Sequence, residues 1–182
     1  NYHIITTNAD NAFDVAGYDM DKVFHIQGKY GLMQCSKHCH AKTYQDEALM
    51  RRLVVEQENM EVDYRSIPLC PECGAPLEVN KRNAEKGMVE DPIFFEHLDK
   101  YNEFLENNRD KKTLFIEIGV GFTTPQFIKY PFYRELDKNP NALMITMNQK
   151  KYQFPERIAS RVLWFNQNSK ELTLEVDELL KK

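Results

Sequence analysis

Four cysteines carry the clearest chemical signal in this sequence. Cys35 and Cys39 enclose three residues, Cys70 and Cys73 enclose two, and thirty residues separate the pairs. Cys70-Pro71-Glu72-Cys73-Gly74 has the form of a knuckle, in which the glycine relieves the turn and lets backbone N–H groups approach the thiolates. Two such pairs brought together satisfy tetrahedral zinc with four thiolates, and a closed four-ligand shell is structural, with no open position for catalysis. The other uses of four cysteines are a pair of disulfides or unrelated buried thiols. His38 and His40 lie close enough along the chain to compete for one ligand position, which would give Cys3His. A second cluster, Thr7, Asn8 and Asp10, follows the extended run His3-Ile4-Ile5. It places hydroxyl, carboxamide and carboxylate groups where a parallel strand opens into its loop, the place where open α/β sheets bind ligands. The competing reading is that Asn8 and Asp10 close an Asx turn. A third cluster is Gly119-Val120-Gly121 after the apolar run Leu-Phe-Ile-Glu-Ile, with Asn148 at the end of the next such run. The glycines let backbone come close to something, and a strand-end carboxamide suits a ribose hydroxyl or a turn.

Positioning these groups requires strands that end together. The patterning predicts strands near 3 to 6, 23 to 27, 113 to 118, 142 to 147 and 162 to 165. Within the second strand, alternation puts Val23, His25 and Gln27 on one face. Helices are expected from Asn11 to Ala16, closed by Gly17, from Pro92 to Asn107 with Asp91 as N-cap, and from Glu171 to Leu180. A further helical stretch opens at Thr124-Pro125, breaks at Tyr130-Pro131 and resumes through Phe132, Tyr133 and Leu136. Residues 29 to 90 change character, with all four cysteines and long charged runs. Ala48, Leu49, Leu53 and Met60 mark one amphipathic helix there. The expected architecture is an α/β fold, a partial Rossmann-like doubly wound parallel sheet made by 1 to 28 and 91 to 182, with an inserted zinc-binding module at 29 to 90.

Composition narrows the function. The chain has 182 residues, 42% hydrophobic and 29% charged, with a net charge of -4. Its 24 basic residues are scattered, which disfavours nucleic acid and a polybasic membrane anchor. No apolar run is long enough to cross a bilayer, and no secretory leader precedes the first strand, so the default location is cytoplasmic.

Thr7-Asn8-Ala9-Asp10, Ala16-Gly17 and Gln27-Gly28 follow, in order, the pattern "QNID", "AG" and "HG", and with the four cysteines they resemble the sirtuin family. The resemblance implies an NAD site between the sheet's carboxyl ends and a zinc module, cleavage of the nicotinamide bond and transfer of ADP-ribose to an acceptor. It assigns Thr7, Asn8 and Asp10 to the nicotinamide ribose and carboxamide pocket. Gly119, Val120, Gly121 and Asn148 fall to the adenosine side, where "GTS" is matched only in part and Asn148 takes the place of the asparagine of "IN". Gln27 stands where the family has its catalytic histidine. A carboxamide cannot take a proton near neutral pH, although it can orient a hydroxyl or water. Gly87-Met88-Val89-Glu90 also matches the peptide-binding "FGE" poorly. Both departures point to the macrodomain-linked sirtuins of microbial pathogens, which resemble protein mono-ADP-ribosyltransferases that modify a lipoylated carrier protein and work with a macrodomain hydrolase. An NAD-dependent deacylase that recruits His25, and a non-catalytic zinc-stapled interaction module, are the alternatives. The family's earlier glycine-rich loop, "GAGxS...GIPxFR", has no counterpart, and Tyr2 to Ile5 reads as an interior strand. The chain is therefore expected to be a fragment, unable alone to turn over NAD and prone to self-association through an unpaired edge beside Ile4.

Overall fold

A computed structural model describes residues 1 to 166, 170, 171 and 174. The helix expected from Glu171 to Leu180 falls outside the described residues except at Glu171 and Leu174. The chain forms two compact units, Asn1–Glu103 and Phe104–Lys182.

In the first unit, β1 (Ile4–Thr6) pairs in parallel with β2 (Val23–His25), Ile4 opposite Val23 and Thr6 opposite His25. The link between them holds the short helix α1 (Ala12–Val15), whose exit is turned by Gly17 at φ 77°, a backbone state that a side chain would resist. β2 ends earlier than alternation suggests. The chain turns at Ile26 and Gln27 and re-enters an extended strand at Gly28. Gln27 therefore lies on a turn and does not continue the His25 face.

The long strand β3 (Gly28–Cys35) is the centre of an antiparallel sheet, flanked by β4 (Thr43–Tyr44) and β5 (Leu77–Lys81). The buried side chains Gln34 and Asn80 stitch β3, β5 and the segment after β5 together. The Asn80 amide donates to Gln34 Oε1 at 2.8 Å and to the Val89 carbonyl at 2.9 Å, and the Val89 N–H donates to Gln34 Oε1 at 2.8 Å. Such a network is stabilising because each buried polar group is satisfied. Gly28 sits against it at φ 92°, where a Cβ would lie 2.2 Å from the Asn80 carbonyl oxygen. Glycine is required there for space as well as for conformation.

Helix α2 (Glu47–Glu56) is capped by Asp46, whose carboxylate accepts from the Leu49 N–H at 2.8 Å. Its Leu49 and Met50 pack on the cysteine-lined core. Met60, expected on its apolar face, lies beyond the helix, exposed and at φ 68°. Helix α3 (Pro92–Asn107) begins and ends where the sequence places it. Asp91 Oδ1 accepts from the Phe94 N–H at 2.8 Å and its other oxygen accepts from Thr43. Phe94 and Tyr101 from α3 meet Phe24 at centroid distances of 5.1 and 6.1 Å, so the helix buries its aromatic stripe on the strand that carries His25.

The second unit is a parallel sheet in the order β6 (Leu114–Ile118), β7 (Leu143–Met147), β8 (Val162–Phe165). Helix α4 (Lys129–Lys138) and the short α5 (Glu156–Ala159) connect its strands. The chain between Thr124 and Ile128 makes turns, and α4 is uninterrupted. Pro131 is its third residue, in the first turn, where backbone N–H groups have no intrahelical acceptor to lose. α4 buries Phe132, Tyr133 and Leu136 with Phe115, Met144 and Ile158. The five strands predicted to be parallel thus all form, two in the first unit and three in the second. Among the described residues no helix is long and apolar enough to cross a membrane.

Candidate functional site

The four cysteines converge. Their sulfur atoms all lie within 4.8 Å of one another, Cys35 to Cys73 at 3.5 Å and Cys39 to Cys70 at 3.6 Å. Four thiolates at ~2.3 Å from a central zinc must stand about 3.8 Å apart, so this donor set fits the ion. All four are free thiols, which removes the disulfide reading. Two mechanisms build the site. β3 delivers Cys35 at its end, and the knuckle delivers Cys70 and Cys73, closed by bonds from the Gly74 N–H to the Cys70 carbonyl (2.9 Å) and from the Cys70 N–H to the Ala75 carbonyl (2.7 Å). Gly74 takes φ 67° there. Backbone N–H groups of Cys39 and Lys37 face the Cys35 sulfur, and with the neighbouring thiols they outweigh its burial and hold its pKa well below the ordinary thiol value, at about 6. Burial and the other thiols push Cys39 the opposite way.

The two histidines near the cluster separate. His38 Nε2 accepts from the Gln34 amide at 2.9 Å and stands 3.7 Å from Glu78, on a different set of partners. His40 stays beside the sulfurs, its Nδ1 at 3.0 Å from Cys39 and 3.9 Å from Cys70, while its Nε2 meets the Tyr44 hydroxyl at 2.7 Å. The geometry suits His40 as a hydrogen-bonding neighbour of thiolates.

The loop after β1 is held open by its own polar groups. Thr6 Oγ1 accepts from the Asn8 N–H at 3.0 Å, Asp10 Oδ1 accepts from the Ala12 N–H at 3.0 Å, and the Tyr30 N–H donates to the Ala9 carbonyl at 2.8 Å. His25 is buried and donates from Nδ1 to the Asn8 carbonyl at 3.1 Å. Burial holds its pKa below the ordinary histidine value, an effect only partly offset by that hydrogen bond. His25 is therefore a loop anchor, and Asp10 closes an Asx-type turn. The Asn8 carboxamide is exposed and makes no hydrogen bond among the described residues. Thr7 and Gln27 are half-buried.

In the second unit, Gly119, Val120, Gly121 and Asn148 come together at the carboxyl ends of β6 and β7. The Asn148 amide donates to the Val120 carbonyl at 3.1 Å, its Oδ1 accepts from the Lys150 N–H at 3.0 Å, and its backbone carbonyl accepts from Trp164 Nε1 at 2.9 Å. Gly119 has φ 67°, with no atom within 4 Å of where a Cβ would stand. The backbone at Gly119 is thus open beside a carboxamide held in place, at the strand ends where open α/β sheets bind ligands.

Sequence reasoning missed the group beneath these loops. Glu117, Thr146 and Lys129 are fully buried. Lys129 Nζ and Thr146 Oγ1 both donate to Glu117 Oε1, at 2.5 and 2.9 Å. The signal was present in Leu-Phe-Ile-Glu-Ile, because period-two alternation puts Glu117 on the same face as Phe115, and a carboxylate on a core face demands a partner.

No protein-family model matches the chain. It is 58% identical over 162 residues to a protein of Staphylococcus aureus strain Mu50 named "Protein ADP-ribosyltransferase", covering 89% of this chain and 51% of that protein. It is 29% identical over 133 residues to a "Probable bifunctional ADP-ribose hydrolase/ADP-ribosyltransferase" of Fusarium oxysporum f. sp. cubense, covering 69% of this chain and 22% of the other. The chain thus spans about half, or less, of the length of these relatives. Among solved structures, Sir2Tm bound to a propionylated peptide superposes with a TM-score of 0.60 at 18% identity, over 97% of this chain and 62% of that one. A Sir2 homologue mutant in complex with ADP-ribose superposes with a TM-score of 0.57 at 16% identity, over 98% and 59%. Parallel strands in both units, the loops at their carboxyl ends and the clustered cysteines of an antiparallel module together make this a Sir2-type, Rossmann-like α/β fold.

Proposed function

We propose that this chain is part of a sirtuin of the macrodomain-linked microbial kind, and that the whole protein is an NAD-dependent protein mono-ADP-ribosyltransferase. The observation that carries the reading is the 58% identity, over 89% of the chain, to a protein named as an ADP-ribosyltransferase on a fold shared with Sir2 structures. NAD would supply the ADP-ribosyl group and the nicotinamide glycosidic bond that is broken. Asn8, whose carboxamide is exposed and unbonded among the described residues, would hold the ribose beside nicotinamide, with Thr7 and Asp10 shaping the carboxamide pocket. Gly119, Val120, Gly121 and Asn148 would receive the adenosine side. Gln27 would orient the acceptor or a ribose hydroxyl without taking a proton. The cysteines would hold a structural zinc. The acceptor is a protein, and by family resemblance a lipoylated carrier, with a macrodomain hydrolase as the reversing partner.

The test uses the full-length protein with labelled NAD and a lipoylated carrier protein. Transfer of label to the carrier is expected, with losses in Asn8→Ala and Gln27→Ala, larger in Asn8→Ala because its carboxamide would lie where charge develops on the ribose; removing one such contact costs on the order of 10²-fold or more. Efficient acyl-lysine hydrolysis by the unmodified protein, with a pH profile showing a base near neutrality, would replace this reading by a deacylase.

A further inference from the structure

Glu117 and Lys129 form a salt bridge with both side chains fully inaccessible, packed among a mostly aromatic and aliphatic core that includes Phe115, Phe132 and Met144. Burying such a pair is rarely a net gain in stability, since apolar residues of similar size do as well. The pair is not even fully satisfied. Among the described residues Glu117 Oε2 has no hydrogen-bond partner, nor does the nearby buried Tyr133 hydroxyl, whose pKa burial and the Glu117 charge push up to about 12. A stability role alone accounts poorly for this arrangement, whereas its connections account for it well. Glu117 lies two residues before Gly119, and Thr146 two residues before Asn148. The Lys129 ammonium lies 5.2 Å from the Phe122 ring centroid and 4.8 Å from that of Tyr152. Phe122 follows Gly121, Tyr152 lies within the loop after Asn148, and the two rings meet edge-on at 4.8 Å. The Tyr152 hydroxyl also lies 3.6 Å from the Cβ position of Gly121. One buried ion pair thus touches β6, β7, the start of α4 and both strand-end loops.

We propose that the Glu117–Lys129 pair, with Thr146 at its side and Phe122 and Tyr152 clamped over the ammonium, is the positioning device that fixes the Gly119 to Gly121 loop against Asn148 for the adenosine diphosphate half of the ligand. The proposal rests on the functional reading above and names residues that do not touch the ligand themselves. A cation packed against aromatic rings is favourable where water is excluded. It also holds both loops to one point, so that their backbone groups are preorganised before the ligand arrives. Without the ammonium, the rings lose their common partner and the loops their relative register.

The test is calorimetric binding of ADP-ribose to the full-length protein and to a Glu117→Gln/Lys129→Met double variant, which removes both charges together and leaves neither buried alone. Binding is expected to weaken at least ~10-fold in the double variant, since small misplacements of binding groups carry costs of this size or larger. Trp164, the single tryptophan of the 182 residues, reports the loop through its bond to the Asn148 carbonyl. In the 182-residue chain carrying the double substitution its emission should shift to the red. Ile158→Val, buried in α5 and outside the 119 to 122 and 148 to 152 segments, provides the comparison: it should lower the thermal midpoint without changing ADP-ribose affinity. Tyr152→Leu keeps the ion pair and removes one ring, and should weaken binding several-fold, which tests the device even where the double variant fails to fold. Unchanged affinity in a folded double variant or in Tyr152→Leu overturns the proposal, as does an equal loss in Ile158→Val. An unsubstituted protein that does not bind ADP-ribose overturns the functional reading and this proposal with it.

Discussion

His25 shows how one buried side chain ties a loop to a pH dependence. Its Nδ1 hydrogen is donated to the Asn8 carbonyl, so protonation would add a charge to Nε2 in a buried position. Burial lowers its pKa below the ordinary 6.5, and does the same for His3 and His97 in the same unit. Unfolded, these rings take up protons near 6.5; folded, they do so only at lower pH. Between the two values the unfolded chain binds more protons, so stability must fall as pH drops through that interval and level off below it. The urea midpoint should accordingly fall from about pH 7.5 to about pH 5.5, less steeply in His25→Asn. A midpoint that rises on acidification would refute this account. The same geometry bears on the deacylase alternative, because a ring already used as a loop anchor is poorly placed to act as a base on a ligand. Gln27 offers the reverse experiment. Gln27→His supplies a group that titrates near neutrality, and measurable acyl-lysine hydrolysis by the full-length variant is the expected gain. None at any pH would mean that the pocket, and not the missing base, excludes acyl substrates.

At the scale of elements, the antiparallel sheet around β3 supports the cysteine cluster, and two changes should expose that dependence. Gly28→Ala forces a Cβ to within 2.2 Å of the Asn80 carbonyl at a positive φ. It should destabilise the first unit by about 3 kcal/mol, read as a drop in the urea midpoint. A neutral result would show that β3 and β5 shift apart easily. Removing zinc with a chelator, or replacing Cys70 by Ser, should unfold the knuckle and its neighbours, because metal binding is folding free energy there. Metal analysis should find one zinc per chain, and a metal-free protein with an unchanged circular dichroism spectrum would contradict the assignment. The elements were unevenly legible in the sequence. Spacing was enough for the cysteine cluster, because ligand geometry dictates it, and Asp91-Pro92 was enough for the start of α3, because a cap and a first-turn proline are local. The three-stranded sheet of β3, β4 and β5 was not visible. Its strands pair through buried amides, and Gln34 and Asn80 look like surface residues in a hydropathy pattern. Gln27 was misplaced for a related reason. A turn whose partner is the Arg82 backbone N–H, 3.0 Å from the Gln27 carbonyl, is fixed by a contact distant in sequence. Glu117 and Lys129 were overlooked because each is ordinary alone, and only the fold brings them together.

Over the whole molecule, the apolar surface left on the second unit's sheet has a consequence in solution. The face of β6, β7 and β8 opposite the buried Phe115, Glu117 and Met144 carries Leu114, Ile116, Ile118, Leu143 and Leu163, each about half exposed or more. Parallel sheets are normally covered on both faces, and a contiguous exposed apolar patch of this kind is a site of association. In the first unit, β1 pairs with β2 alone among the described strands, which leaves a strand edge able to template pairing. Both features lead to the same expectation for the isolated 182-residue chain, that it self-associates in a concentration-dependent way. Sedimentation or light scattering across micromolar concentrations should show species heavier than the 21.5 kDa chain. The contributions are separable. Ile116→Lys places a charge in the middle of the exposed face and should shift the distribution strongly toward monomer, since a buried unpaired ammonium is costly. Thr6, and with it Ile4, turns its backbone polar groups toward β2, so the outward edge of β1 is at Ile5. Ile5→Pro removes that outward N–H and should matter less if the apolar face dominates. A chain that stays monomeric up to high concentration would show that the exposed face is too small or too well solvated to drive association. Association abolished by the β1 substitution and untouched by Ile116→Lys would transfer the effect to the strand edge.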